Sequence, residues 1–512
     1  MKTNILEYLE ATAARLPEAV AFADEQQERS FTALLDEARA LGWMLQQTVG
    51  ACRRPVAVLS RRSVSCLVGF FGALCAGGCY VPLDAVMPQQ RLAAILEKLR
   101  PAAILYSARD KALAESLSSH APVFPIDTPY PAADEAGLRA IRKTLTDLDP
   151  AYILFTSGST GLPKGIAVCH RSWIDFTEWY AGLTGVDETD CMGNQAPFFF
   201  DVSLRDISLT LKTGAQTFLL PQKVFSFPLL LTKALNDRHV TTLNWAAAAF
   251  HLIAGSGLLE KDPPKYLKRV LVGGEAMQAK LLRRWRRALP DVFYVNLYGP
   301  SETTVDSTYY PIDRDFSDDE PIPIGTACEN MEVFLLNERD ERCAVGEPGE
   351  LCVRGTGLAL GYYGEPEKTA AAFTQNPLNP AYPDRIYRTG DVAVLREDGL
   401  FVFLCRKDSQ IKHNGYRIEL GEIETALLAV AEVEVAACLF DSEGDRIVAF
   451  YSGGIGEAQL RQALRERLPK YMLPELLFPL QTFPRLPNGK LDRVRLKTDY
   501  LPVATRRNED PL

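Results

Sequence analysis

At 512 residues, 47% hydrophobic and 24% charged, the chain has the composition of a globular protein too long for one simple core, so two or three lobes are expected. Its net charge of −9 leaves no excess of Lys and Arg to displace phosphate counterions, which excludes nucleic acid as a partner. A membrane is excluded too, because the most apolar run, Ser65 to Val81, is short, glycine-broken and proline-ended. At the N-terminus Glu7, Glu10 and Arg15 interrupt any signal-peptide core and predict an amphipathic helix instead. Eleven cysteines, odd in number and without paired metal spacing, fit reduced thiols in a cytoplasm, with Cys66, Cys75 and Cys79 filling core space.

In chain order, Phe31 to Gly42 reads as an amphipathic helix, Pro55–Ser60 as a buried strand and Val64–Cys75 as a helix. The alternation predicts an α/β lobe with largely parallel sheets. Residues 130–150 are polar and proline-bounded and read as a surface connection. Tyr152 to Phe155 then suit a buried strand that empties abruptly into TSGSTGLPKG. In that loop Gly158, Gly161 and Gly165 let backbone N–H groups turn toward an anion, Thr156, Ser157, Ser159 and Thr160 add donors, and Lys164 adds a charge. A polar surface turn is the plainer reading, but so dense a set of donors favours a phosphate-holding loop. It is not a P-loop, since Pro163 stands where that pattern wants glycine and proline has no N–H.

Further strands are predicted at Gln216–Leu220, Thr241–Trp245, Arg269–Val272 and Tyr294–Leu297. The third ends in Gly273-Gly274-Glu275 and the fourth in Tyr298-Gly299-Pro300-Ser301-Glu302, so several strand ends converge on one cleft. Gly349–Arg354 and Leu400–Leu404 read as strands of a smaller, twisted β region. After Arg406 the pattern changes. Residues 1–406 are expected to form the catalytic body, and 407–512 a compact α+β unit with strands at Val433–Leu439 and Asp445–Tyr451, a helix at Glu457–Leu468 and a loose tail after Asp499.

Asn296 to Thr303 joins an amide and an aromatic ring, suited to a purine base, to a carboxylate that could hold magnesium through oxygen. YRTGD, Tyr387 to Asp391, offers a carboxylate for ribose hydroxyls, and NGKLD, Asn488 to Asp492, presents a lysine on a tight turn. Each alone also reads as an ordinary turn. Together, and in this order, they resemble the amino-acid-adenylating domains of nonribosomal peptide synthetases and the related D-alanine:carrier-protein ligases of the adenylate-forming (ANL) superfamily. LCAGGCYVPLD, TSGSTGLPKG, Phe200-Asp201-Val202-Ser203, NLYGPSE, GELCVRGTGLALGYY, YRTGD, RKDSQIKHNGYRIELGEIE and NGKLD carry the resemblance across essentially the whole chain. Ser301 stands where threonine is more usual, and Cys405 where glycine is common.

The resemblance implies a multidomain α/β and α+β fold, with two α/β subdomains and a small β-barrel-like region in the body and a mobile C-terminal α+β lid hinged near Asp408. It implies that Lys490 bridges the substrate carboxylate and ATP, with Glu302 and Thr303 completing the catalytic set and Glu302 and Thr160 holding Mg2+. Thr156, Ser157, Gly158, Ser159, Thr160, Gly161 and Lys164 would hold the phosphates. Gly274, Glu275, Asn296, Tyr298 and Gly299 would hold the adenine, and Asp391 and Arg406 the ribose, while Gly415 would lie on the face that serves thioester formation.

A carboxylate at Asp201, in the aromatic setting PFFFDVS, is costly unless a cation pairs with it, and an amino acid's ammonium would do so. A helix N-cap is the alternative. By the resemblance the side-chain pocket comes from Val202, Arg205, Asn244, Leu271, Gly273, Leu297, Val305 and Asp306. Polar groups at Asn244 and Asp306 point to a small polar substrate, serine first. Arg205 replaces the usual bulky aromatic, and either neutralises Asp306 or recruits an acidic side chain. The expected enzyme is therefore an AMP-forming, carbon–sulfur bond-forming ligase, cytoplasmic and monomeric, that uses ATP and Mg2+. It would load a phosphopantetheine thiol on a carrier protein in trans, because no serine-bearing carrier motif follows before Leu512. D-alanine ligation, acyl-CoA synthesis and a non-enzymatic adenylate-binding regulator are the alternatives; Asp201 speaks against the second, and Lys490, Glu302 and Asp391 against the third.

Overall fold

The computed structural model describes residues 2–158, 163–318, 320–407, 410–485 and 491–506. It divides into two compact units, one of Met1–Ala85, Lys98–Phe155 and Gly165–Lys407, the other of Val86–Glu97, Thr156–Lys164 and Asp408–Leu512.

The larger unit holds three sheets. In the first, of seven strands, the order is Gly361–Tyr362, Lys164–Cys169, Pro150–Thr156, Cys79–Asp84, Pro55–Ser60, Ala103–Tyr106 and Val123–Pro125. Pro55–Ser60 is buried at every position and pairs in parallel on both sides, as its unbroken apolar run requires. The helix Val64–Cys75 is buried along its whole length. It crosses the helix Phe31–Val49, which Ser30 caps by accepting from the Ala33 N–H at 3.2 Å. A Cβ on Gly42 would stand 2.5 Å from Cys75 Cβ and 2.7 Å from the Gly72 carbonyl, so glycine sets how closely these helices approach. Beneath them Phe70 stacks on Tyr80 at 4.4 Å, and Trp173 meets Tyr80 and Tyr152 edge-on.

The second sheet, of nine strands, runs Thr326–Ala327, Thr308–Pro311, Phe293–Tyr298, Arg269–Gly273, Thr242–Ala246, Cys191–Asn194, Gln216–Leu219, Val20–Ala23 and Glu28–Ser30, parallel at its centre and antiparallel at both edges. Asn244 lies in register with Leu271, and Gly273 with Leu297, so these four residues share one face near the carboxyl ends of parallel strands, where ligands bind in open α/β sheets. The third sheet is antiparallel and five-stranded, and places Asp391 directly opposite Arg406.

The smaller unit contains the hairpin Gln410–His413 and Tyr416–Glu419, the helix Leu420–Leu428, a sheet of Val433–Asp441, Arg446–Gly453 and Leu476–Pro479, and the helix Glu457–Arg465. Asn414 and Gly415 both have positive φ, which gives the two-residue turn its hand. Two expectations are corrected. Residues 130–150 include a helix, Glu135–Arg142, in which no residue is fully buried but Leu138 and Ile141 are half-buried on one side, a stripe too short to stand out in a polar stretch. The tail after Asp499 continues as a helix over Leu501–Arg506, because Leu501 and Ala504 bury themselves against Phe450 and Phe483.

At the turn end of the hairpin, His413 is buried between Asp445 (3.2 Å from Nδ1) and Glu475 (3.1 Å from Nε2). Burial disfavours its imidazolium, but the hydrogen bonds and charges of Glu475 and Asp445 outweigh that and raise its pKa above 6.5. A raised histidine pKa adds stability below the unfolded value, which is lost as pH rises through the folded one. Thermal unfolding from pH 5.5 to 8.5 should show that loss, at most about 1 kcal/mol because both carboxylates are well solvated, and His413→Gln should abolish the slope.

Candidate functional site

The large unit brings an amide, a phenol and a carboxylate together through its β topology. Asn296 and Tyr298 lie on the strand Phe293–Tyr298. The Asn296 Nδ2 donates to the Pro323 carbonyl at 2.8 Å, which fixes the amide and leaves Oδ1 to accept from a base amine. The Tyr298 hydroxyl donates to Asp391 Oδ2, and Arg406 Nη1 donates to Asp391 Oδ1 at 2.5 Å. Burial first, then the Asp391 charge, holds the Tyr298 hydroxyl well above its ordinary pKa, so it is a permanent donor.

From Tyr298 the chain enters a tight loop. Gly299 has no room for a side chain, since a Cβ would stand 2.4 Å from the Val305 carbonyl and 2.6 Å from Asp306 Cα. Thr304 and Val305 both take positive φ, costly for branched residues, and the surroundings hold them there: the Thr304 hydroxyl donates to the Gly357 carbonyl at 2.7 Å and the Ser307 N–H to the Tyr298 carbonyl at 2.7 Å. Glu302 is fully buried and accepts from the Tyr362 hydroxyl at 2.9 Å, and Thr303 shares a 2.6 Å hydrogen bond with Ser307. Among the described residues no cluster of three His, Cys, Asp or Glu side chains could hold a metal. The buried Glu302 carboxylate fits a magnesium ion bound mainly through nucleotide phosphates and water. Gly274, at φ +91, needs glycine at the strand end that precedes Glu275.

Asp201 lies just before the helix Ser203–Thr213 and does not cap it, since the N-cap position is Val202 and no side chain fills that role. Burial raises the Asp201 carboxyl above its usual pKa, and Ser301 and the Arg205 charge only partly offset this. Arg205, 1% exposed, donates from Nε and Nη2 to Asp306 at 2.9 and 2.5 Å. That pairing answers half of the expectation for Arg205: it meets Asp306. Asn244 is engaged as well, accepting from the Tyr180 hydroxyl at 2.6 Å and donating to Asp206 at 2.6 Å. Asp206 also accepts from Asn194 at 2.8 Å, and burial pushes its pKa up to about 6. The sequence argument that Asn244 and Asp306 would be left unpaired beside an apolar substrate is thereby corrected, because both already have partners inside the protein. Leu271, Gly273, Leu297 and Val305 are buried around them, and Val202 is partly exposed.

Sequence reasoning did not single out Tyr180, Asn194, Asp206 or Tyr362. Asp206 directly follows Arg205, but nothing local distinguishes it from an exposed helix residue.

In the smaller unit the first donors of the phosphate loop are already in use. Ser157 donates to the Arg417 carbonyl at 2.8 Å and accepts from the Glu419 N–H at 3.2 Å. The Gly158 N–H donates to Glu422 at 3.2 Å, and Glu422 also pairs with Arg91. The Thr156 hydroxyl is buried without a partner among the described residues, and Lys164 opens the strand Lys164–Cys169. Ser159, Thr160, Gly161, Asp408 and Lys490 lie outside the described residues.

Known proteins resemble this chain in sequence and fold. The family model for AMP-binding enzymes matches residues 9–363. Zwittermicin A synthase ZmaJ of Bacillus cereus is 32% identical over 511 residues, covering 96% of this chain and 94% of that protein. Tyrocidine synthase 2 of Brevibacillus parabrevis is 31% identical over 503 residues, 97% of this chain, and the chain spans only 14% of that relative's length. Among solved structures, holo-PA1221, an NRPS protein containing adenylation and PCP domains, superposes with a TM-score of 0.84 at 26% identity, covering 96% of this chain and 84% of that one. No helix among the described residues is long and apolar enough to cross a membrane.

Proposed function

Because the chain belongs to the AMP-binding enzyme family, as an adenylate-forming ligase of the nonribosomal-peptide-synthetase adenylation type, we propose that it activates an amino acid with ATP. The products are the aminoacyl adenylate and pyrophosphate. A phosphopantetheine thiol on a carrier protein then takes the aminoacyl group and releases AMP. The carrier is a separate chain, the substrate is a small polar amino acid with serine the first candidate, and the enzyme works as a cytoplasmic monomer.

The observation that carries this reading is Asp201. Its carboxylate feels the charge of an arginine already held by Asp306, and burial disfavours its ionised form, so an incoming ammonium is the cation that completes it. A fatty acid would leave that carboxylate uncompensated, which disfavours acyl-CoA synthesis.

In the proposed mechanism Asn296 Oδ1 accepts from the adenine amine, and Asp391 accepts from the ribose hydroxyls with Tyr298 and Arg406 fixing its orientation. Asp201 orients the amino acid so that its carboxylate faces the α-phosphorus. Glu302, joined by Thr160, would hold Mg2+, which would supply positive charge beside the phosphates. Lys490 meets charge on the substrate carboxylate and the α-phosphate as the new bond forms. Residues 407–512 act as the lid, turning about Asp408 between the two half-reactions and bringing Gly415 forward for the second.

Amino-acid-dependent exchange of labelled pyrophosphate into ATP tests the first half-reaction. Exchange should require one amino acid or a few, and Lys490→Ala should lower it by about two orders of magnitude. Exchange with a fatty acid and with no amino acid would overturn the proposal.

A further inference from the structure

Resting on that reading, we infer that Glu350 is a positioning residue for the nucleotide: through the Gly390 N–H it holds the irregular turn from which Asp391 reaches the ribose. The turn is a break in a sheet. Strands Pro348–Gly355 and Arg385–Leu395 pair antiparallel, with Glu350 opposite Val392 and Cys352 opposite Arg388, so Thr389, Gly390 and Asp391 together face the single residue Leu351. On the other side Leu404 is left over between the pairs Val392–Cys405 and Ala393–Phe403. Extra residues of this kind bend a strand, re-aim its side chains and take backbone groups out of the ladder. Asp391 stands between the two irregularities, and from there its carboxylate meets Tyr298 and Arg406.

A backbone N–H taken out of the ladder needs another acceptor. Gly390 has φ +73, and its N–H donates to Glu350 Oε1 at 3.2 Å. Its carbonyl accepts from the Lys407 N–H at 2.8 Å. Thr389 closes the turn from within: its hydroxyl donates to the Leu351 carbonyl at 2.7 Å and accepts from the Asp391 N–H at 3.0 Å. Glu350 is itself fixed. Its Oε2 accepts from Arg388 Nη1 and from Lys407 Nζ, each at 3.2 Å, and the residue is only 8% exposed. One carboxylate thus ties together Arg388 before the turn, Gly390 within it and Lys407 at the end of the large unit.

The two oxygens have separate tasks. Oε1 carries the bond to Gly390, and an amide oxygen can take its place. Oε2 carries the ion pairs, of which the Lys407 arm is half-exposed and so weak. Loss of the acceptor orphans the Gly390 N–H, frees the turn and displaces Asp391 from the ribose hydroxyls. Asp201, just before the helix Ser203–Thr213, is untouched by that change.

The test is pyrophosphate exchange with serine, replaced by whichever standard amino acid exchanges best. The proteins are the wild type, Glu350→Gln, Glu350→Leu, Glu350→Leu with Arg388→Met, and Lys407→Met. KM is measured separately for ATP and for the amino acid, alongside the ATP concentration that half-protects each protein against thermal unfolding. The paired variant removes a cation with the carboxylate, and so stands in for a Glu350→Leu protein too unstable to assay. Both variants that carry leucine should raise the KM for ATP, and the ATP needed for protection, by roughly 10- to 100-fold, and leave the KM for the amino acid within about twofold. Glu350→Gln should return the KM for ATP to within about threefold of the wild type, and Lys407→Met should leave it unchanged. An equal rise in both KM values, or a lower melting temperature with neither KM changed, would make Glu350 a structural group and overturn the inference. So would a Lys407→Met effect as large as that of leucine, which would place the action in the ion pair and not in the bond to Gly390. In each of those cases exchange with an amino acid persists and the adenylation reading stands. Absence of exchange by the wild type with every amino acid would overturn that reading instead.

Discussion

Asp201→Asn is expected to lower kcat/KM for the amino acid by roughly 100- to 1,000-fold while leaving the fold intact. Removing one partner of a buried ion pair costs about 3–5 kcal/mol, and each 1.4 kcal/mol is a factor of ten. Asparagine keeps the shape of the side chain but not the charge that meets the ammonium. The same change should not lower the melting temperature of the free enzyme. Before substrate arrives, burial works against the Asp201 carboxylate, so a neutral amide removes an unfavourable charge. A loss of exchange together with a loss of stability would point to a structural carboxylate and sink the assignment. The pH dependence has a definite sign: the amino acid needs the deprotonated form, so its KM should rise as pH falls through the raised pKa of Asp201, and Asp201→Asn should remove that rise. ATP should still protect the variant against thermal unfolding, since nothing that Asp391, Tyr298 or Asn296 touches has changed.

How much of this could be read from the chain depends on the range of the forces involved. Pro55–Ser60 and Val64–Cys75 announce themselves because each is a continuous apolar run, and each forms as the pattern requires. The strand-to-glycine edges at Gly273-Gly274 and Tyr298-Gly299 are legible because only glycine tolerates the φ at Gly274 or the crowding at Gly299. A short element is harder to read, as in Glu135–Arg142, where only Leu138 and Ile141 mark the half-buried side of a helix set in a polar stretch. What a side chain holds is the least legible. Asn244 and Tyr180 are 64 residues apart, Glu302 and Tyr362 are 60, and Arg205 and Asp306 are 101. A polar residue assigned to a pocket wall looks available to a substrate until the fold shows which neighbour has already claimed it. That is why Asn244 and Asp306 invite the wrong physical argument from sequence.

The second large effect is expected at Asp391, where binding and stability are entangled and can be separated. Its side chain is nearly buried and bridges Tyr298 and Arg406, which lie on different sheets of the large unit. Asp391→Ala removes an acceptor of both donors and the carboxylate that faces the largely buried Arg406 cation, so the melting temperature should fall by several degrees, consistent with a loss of about 3–5 kcal/mol. It also removes the acceptor proposed for the ribose hydroxyls, so exchange should drop by about three orders of magnitude, the charged hydrogen bonds and the misplaced nucleotide acting together. Asp391→Leu combined with Arg406→Met distinguishes the two losses, because replacing both members of a buried ion pair with apolar side chains of similar volume is often neutral or stabilising. This double variant should melt well above Asp391→Ala, short of the wild type only by the loss of the acceptor for the Tyr298 hydroxyl, and still fail to exchange. Recovery of exchange together with stability would mean that Asp391 is a staple between strands and that the ribose is held elsewhere. Stability without exchange would place the nucleotide's sugar at the point where Asp391 and Arg406 face each other across their strands.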